Sequence, residues 1–123
     1  MGSVSTSIKV SSPQDSVKPI TLKLLVDTGA TFTVISSQDL ESIGIKPRFR
    51  HKLKIADGRV VERAGATILA EIRDKVGEVP VVFGEKDDTP VIGITTLEIL
   101  GFEVDPITRQ LKPSEYLFLY ARH

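Results

Sequence analysis

Asp27 is the residue in this chain best placed to do chemistry. It ends an apolar run, Ile20-Thr21-Leu22-Lys23-Leu24-Leu25-Val26, whose side chains head for a hydrophobic core. A carboxylate delivered there must be paired, hydrogen-bonded or protonated. Thr28 and Gly29 follow at once and offer a hydroxyl and an unobstructed backbone N–H. The plain alternative is a turn aspartate that caps its own backbone. Other chemistries are closed off. The chain has no cysteine, which excludes disulfides, zinc thiolate sites and cysteine nucleophiles. His51 and His123 are the only imidazoles, and a lone histidine makes no metal site. Glu85-Lys86-Asp87-Asp88 lacks the ligand spacing and glycine of a calcium loop and reads as a solvated turn. No metal and no cofactor are expected.

The elements that must position Asp27 are short. Ile8-Lys9-Val10 is a strand candidate, Ser11 to Pro19 a loop, and Ile20–Val26 a strand ending at the turn signal Asp27-Thr28-Gly29-Ala30. Thr33-Val34-Ile35 resumes a strand. A helix follows, capped by Ser36 or Ser37, with Leu40 and Ile43 inward and Gly44 at its end. Lys52–Ile55 and Val60–Glu62 flank Ala56-Asp57-Gly58-Arg59, where Asp-Gly favours a hairpin turn. Thr67–Ile72 and Val79–Phe83 flank Asp74–Gly77 in the same way, and Glu85–Thr89 is a polar loop. Pro90-Val91-Ile92-Gly93 is a short buried strand meeting a second helix, in which Thr95 and Glu98 have capping-box spacing and Gly101 is the stop. Phe102–Val104, Gln110-Leu111 and Tyr116–Tyr120 are late strand candidates. The last is apolar enough to require burial. Many short strands with two short helices predict a mainly β, small barrel-like domain.

The chain has 123 residues, which fits one domain, residues 1–123. Sixteen basic residues balance sixteen acidic ones, so there is no electrostatic footprint for nucleic acid. Apolar runs are too short for a membrane segment, and no secretory signal opens the chain. With the absence of cysteine, this suggests a cytoplasmic location.

Asp27-Thr28-Gly29-Ala30, preceded by Leu24-Leu25-Val26, resembles the signature of retropepsin-like aspartic proteases. Members of that family carry, later in the chain, two apolar residues and a glycine that open the C-terminal helix. Here these are Val91-Ile92-Gly93, followed by Ile94 to Gly101. Between the two motifs the family has a β-hairpin flap that closes over substrate, and the Lys52–Ala64 hairpin with Gly58 at its tip stands in its place. The resemblance spans about residues 20–111, in the family's order and spacing.

The resemblance implies a closed β-barrel of the retropepsin type and an aspartic endopeptidase acting on extended polypeptide. Two carboxylates share a proton in such enzymes, one acting as base toward water while the other polarises the peptide carbonyl. One Asp-Thr-Gly per chain then implies a homodimer with Asp27 of each copy at the twofold axis. By match, Thr28 braces the two loops across that axis, the Gly29 amide orients the carboxylates, and Ala30 floors the substrate groove. Asp57, Gly58 and Arg59 of the flap tip would meet substrate. Retroviral members carry acidic residues where Thr31 and Phe32 stand, and an arginine where Ile94 stands. Those groups normally pair, and here both sides of the pair are replaced. The alternative from another class is a non-catalytic peptide-binding or dimerisation module with the protease fold.

Overall fold

The computed structural model describes residues 4–14, 18–55 and 57–114. The strand expected at Tyr116–Tyr120, its expected burial, and Ala56 in the hairpin turn lie outside the described residues. Among the described residues there are nine strands and two helices: β1 Ser5–Ser11, β2 Ile20–Val26, β3 Thr33–Ser36, α1 Ser37–Ser42, β4 Phe49–Lys54, β5 Val60–Ile72, β6 Lys75–Gly84, β7 Val91–Ile92, α2 Ile94–Leu100, β8 Phe102–Val104 and β9 Leu111–Pro113. The protein is mainly β, as its turn-punctuated sequence predicts.

Seven strands pair in the order β1-β2-β7-β3-β6-β5-β4, and β1 also pairs with β5 through Lys9–Ser11 opposite Glu71–Leu69. The pairings therefore return on themselves, and β4 alone stands outside the ring, bonded to β5. Within the ring lie Ile8, Val10, Ile35, Ile68, Ile72, Val79, Val81 and Ile92, all essentially inaccessible to solvent, with Leu40, Leu97 and Leu100 from the helices beside them. Burial of that apolar surface is the main favourable term in folding. Strands β8 and β9 form a separate pair beyond α2.

The topology at the end of β2 sets where Asp27 is placed. The loop from Asp27 to Phe32 joins β2 to β3, yet those strands are not neighbours. The two residues of β7 lie between them, parallel to β2 (Leu25 opposite Val91, Val26 opposite Ile92) and antiparallel to β3 (Val34 opposite Val91). The loop must therefore cross the end of β7, and the chain leaving β7 must pass beneath it. Gly93 makes that passage, with its amide held by Thr33 Oγ1 at 3.0 Å. A Cβ there would fall on the Phe32 carbonyl group, so only glycine permits the approach.

Several elements depart from expectation. Strand β5 runs unbroken for 13 residues, where two separate strands were predicted. Its first part pairs with β4 and its second with β6, and Gly65, paired with both, joins the two parts without a break. The hairpin also starts earlier, at Phe49. The turn between β5 and β6 is only Arg73-Asp74, with Arg73 at φ 56°. Helix α1 is capped by Ser36, whose Oγ accepts from the Asp39 amide, and Gly44 takes φ 80° just beyond it. Helix α2 ends at Gly101 in the left-handed conformation but has no capping box, since its N-cap is Gly93. The physical reason lies in the loop above it. The Ile94 and Thr95 amides, which a cap would otherwise serve, donate to the carbonyls of Ala30 (2.8 Å) and Thr31 (3.0 Å).

Candidate active site

Asp27 is fixed through its backbone. Its amide donates to the Ile92 carbonyl at 2.9 Å, continuing the β2–β7 ladder by one residue, and its own carbonyl accepts from the Ala30 amide at 3.0 Å. Its side chain Oδ1 accepts from the Gly29 amide at 2.9 Å. A Cβ on Gly29 would stand 3.2 Å from that oxygen, so a larger residue would crowd the carboxylate. Among the described residues nothing bonds Oδ2. The turn-capping bond of the plain alternative is thus present, and it orients the carboxylate while leaving one oxygen open.

The expectation of a carboxylate heading into the core is corrected. Asp27, Thr28 and Gly29 are exposed and Ala30 is half-buried. Strand β2 alternates between half-buried and exposed positions, and Asp27 continues the exposed set with Leu25, which is 43% accessible. The polypeptide reaches the surface at Asp27 because β7 fills the space beside β2. The site is therefore a rigid loop bearing an outward-facing carboxylate.

Beneath the loop lies a pair of hydroxyls that inspection of the sequence missed. Thr33 and Thr96 are fully buried, with Oγ1 atoms 2.6 Å apart, and Thr33 Oγ1 also accepts from Gly93. They tie β3, α2 and the exit of β7 together directly under Asp27–Phe32. A signal existed: Thr33 shares the inward face of β3 with Ile35, and a polar side chain on a buried face needs a partner.

Around the replaced acidic and arginine positions, the contacts are main-chain bonds and a ring stack. Thr31 gives its carbonyl to α2, and Ile94 gives its amide to the loop, so main-chain bonds hold these segments together. Phe32 turns toward the hairpin, its ring stacked on His51 at 5.5 Å with an interplanar angle of 18°. His51 also receives the edge of Phe49 at 4.8 Å. His51 is half-buried, on the face of β4 that also carries half-buried Leu53 and the more exposed Phe49. Glu85–Asp88 is more than a solvated turn. Asp88 accepts from Arg63 Nε at 2.7 Å and Nη2 at 3.0 Å, and also from the Glu85 amide at 2.8 Å. The Arg63 fork and the Glu85 N–H hold the Asp88 carboxyl below its usual range, against the opposing effect of burial.

Asp57, Gly58 and Arg59 stand at the hairpin tip, all exposed. Gly58 has φ 92°, Asp57 accepts from the Arg59 amide at 2.9 Å, and the two side chains pair at 2.7 Å. The hairpin register closes at Lys54 opposite Val60. Two surface grooves, of about 610 and 680 Å³, are lined by none of Asp27–Ala30 or Asp57–Arg59. Among the described residues no group of three or more His, Asp or Glu side chains is placed to hold a metal, and no helix is long and apolar enough to cross a membrane.

Residues 15–104 match the family described as aspartyl protease, and the chain belongs to this retropepsin-like family. No curated protein matches the chain.

Proposed function

We propose that the protein is an aspartic endopeptidase that works as a homodimer, each copy supplying Asp27. The observation that carries the reading is the pinned, exposed Asp27 carboxylate, oriented by Gly29 and open at Oδ2, on a chain with one such motif. In the dimer one Asp27 takes a proton from water while the other, protonated, donates to the substrate carbonyl. The water oxygen bonds to the carbonyl carbon, the C–N bond then breaks, and the leaving nitrogen takes up a proton.

The ring of strand pairings supports a closed barrel of the retropepsin type, and one domain, since β1 pairs both with β2 and with β5 from the middle of the chain. Thr28, exposed beside Asp27, would brace the two loops across the axis, and Leu25 would be covered by the partner. The β4–β5 hairpin would act as the flap. An extended peptide would then lie as an added strand between Ala30 below and Asp57, Gly58 and Arg59 above, bound through its main chain and selected by side-chain pockets.

Cleavage of an unstructured protein between pH 3 and 8, with wild type and Asp27→Asn in parallel, tests the reading. Wild-type cleavage that vanishes in the variant supports it. A folded dimer that binds peptide without cleaving it would establish the non-catalytic module instead.

A further inference from the structure

His51 and Arg63 are directly opposed in the β4–β5 register, so their side chains share one face of the hairpin. That one rung grips both chain segments that build the floor of the site. His51 stacks on Phe32, the last residue of the Asp27 loop, and Arg63 forks onto Asp88, three residues before β7. Each nitrogen of the Arg63 guanidinium is engaged, since Nη1 donates to the Glu62 carbonyl at 2.9 Å and stands 3.6 Å from Glu85. Beyond this rung β4 pairs only with β5. The tip is held by bonds within itself: Ile55 to Arg59, Gly58 to Ile55, and Asp57 to Arg59.

We infer that His51 and Arg63 are positioning residues which set the height and tilt of the hairpin tip over Asp27. The inference rests on the reading of the hairpin as a substrate-covering flap. An aromatic stack resists lateral slip, and a two-pronged arginine–carboxylate contact resists rotation. Together they define a fulcrum, and the free arm beyond it is residues 52–62. Substrate would be held by an arm whose resting position is read from Phe32 and Asp88. The rung thus couples flap position to the end of the Asp27 loop and to the segment that leads into β7.

Hydrogen exchange read by mass spectrometry, alongside steady-state peptide cleavage, tests this on the full chain. His51→Ala and Arg63→Ala should each speed exchange of amides 52–61 by about tenfold, leaving those of residues 66–72 unchanged. KM should rise several-fold with kcat changed less, because the arm and not the acid–base pair is disturbed. His51→Phe, which preserves the stack, should restore both readouts. Arg63→Lys should not, since an ammonium lacks the fork. Should Arg63→Ala fail to fold, Arg63→Lys carries the same comparison. Unchanged exchange at the tip, acceleration spread evenly over the protein, or full rescue by Arg63→Lys would overturn the inference. Absence of cleavage in the wild type would refute the protease reading, and the exchange data would still decide whether this rung holds the arm.

Discussion

Thr33 accepts the Gly93 amide and meets the Thr96 hydroxyl in a space closed to solvent, so its removal strands two polar groups. Thr33→Val preserves shape but should cost about 1–3 kcal/mol, the penalty for buried groups left unpaired. Thr96→Val strands fewer groups and should cost less. Urea unfolding of the two variants checks the order, and equal or negligible losses would show that the pair is not a structural tie. Asp27→Asn belongs to the other kind of residue. It retains volume and an acceptor for the Gly29 amide but cannot exchange a proton at neutral or acid pH. Fold and dimer should survive while proteolysis falls by at least ~10²-fold. Wild-type activity should be bell-shaped in pH and peak on the acidic side of neutrality, because one carboxylate of the pair must carry a proton and the other must not. A rate that keeps climbing through pH 8 would exclude a carboxylate pair.

Gly58 sits at φ 92° with nothing within 4 Å of an added Cβ, so Gly58→Val meets no steric obstacle but a backbone conformation it rarely adopts. Cleavage should suffer more than stability. If the domain unfolds while activity per folded dimer is unchanged, the turn is merely structural. The Arg63–Asp88 contact has a pH signature. The folded Asp88 carboxyl is held below its ordinary value of 3.8, so its contribution to stability is complete above that value and is lost as pH falls through the lower folded value. Wild type should therefore exceed Asp88→Asn in melting temperature at pH 5–7, with the gap closing below about pH 4. A gap independent of pH would mean that charge is not what the contact uses. Much of this level was legible from local chemistry: Asp57-Gly58 marked the hairpin, Ser36 and Gly44 bounded α1, and Gly101 stopped α2. Illegible were the features made by distant partners. Nothing local in Ile94–Glu98 says that its first amides are served by Ala30 and Thr31, and nothing around Gly65 says that β5 changes partner there without breaking. Asp88 reads as part of a solvated turn because its partner Arg63 is remote in the chain, and Phe32 is likewise remote from His51.

Assembly is the claim made by the molecule as a whole. An active centre needing two copies of Asp27 must lose specific activity on dilution, in step with the dimer fraction measured by ultracentrifugation. Leu25→Glu, a charge on the exposed apolar position beside Asp27, should move that transition to higher concentration with the protomer fold intact. A monomer that cleaves with undiminished specific activity would refute the shared-aspartate mechanism. The ring of strands has one more consequence, for the order of events in time. Asp27 is aligned by Ile92, and β3 by β6, through parallel pairings between segments far apart in the chain. Contacts of that kind form slowly, because the entropy of closing a long loop precedes any return from the contact. During synthesis the catalytic loop emerges well before the strand that seats it, and a chain lacking β7 has no ladder to hold its carboxylate. On the proposed reading, activity would then arise only once the chain has completed its own fold, and a half-refolded copy should not cleave.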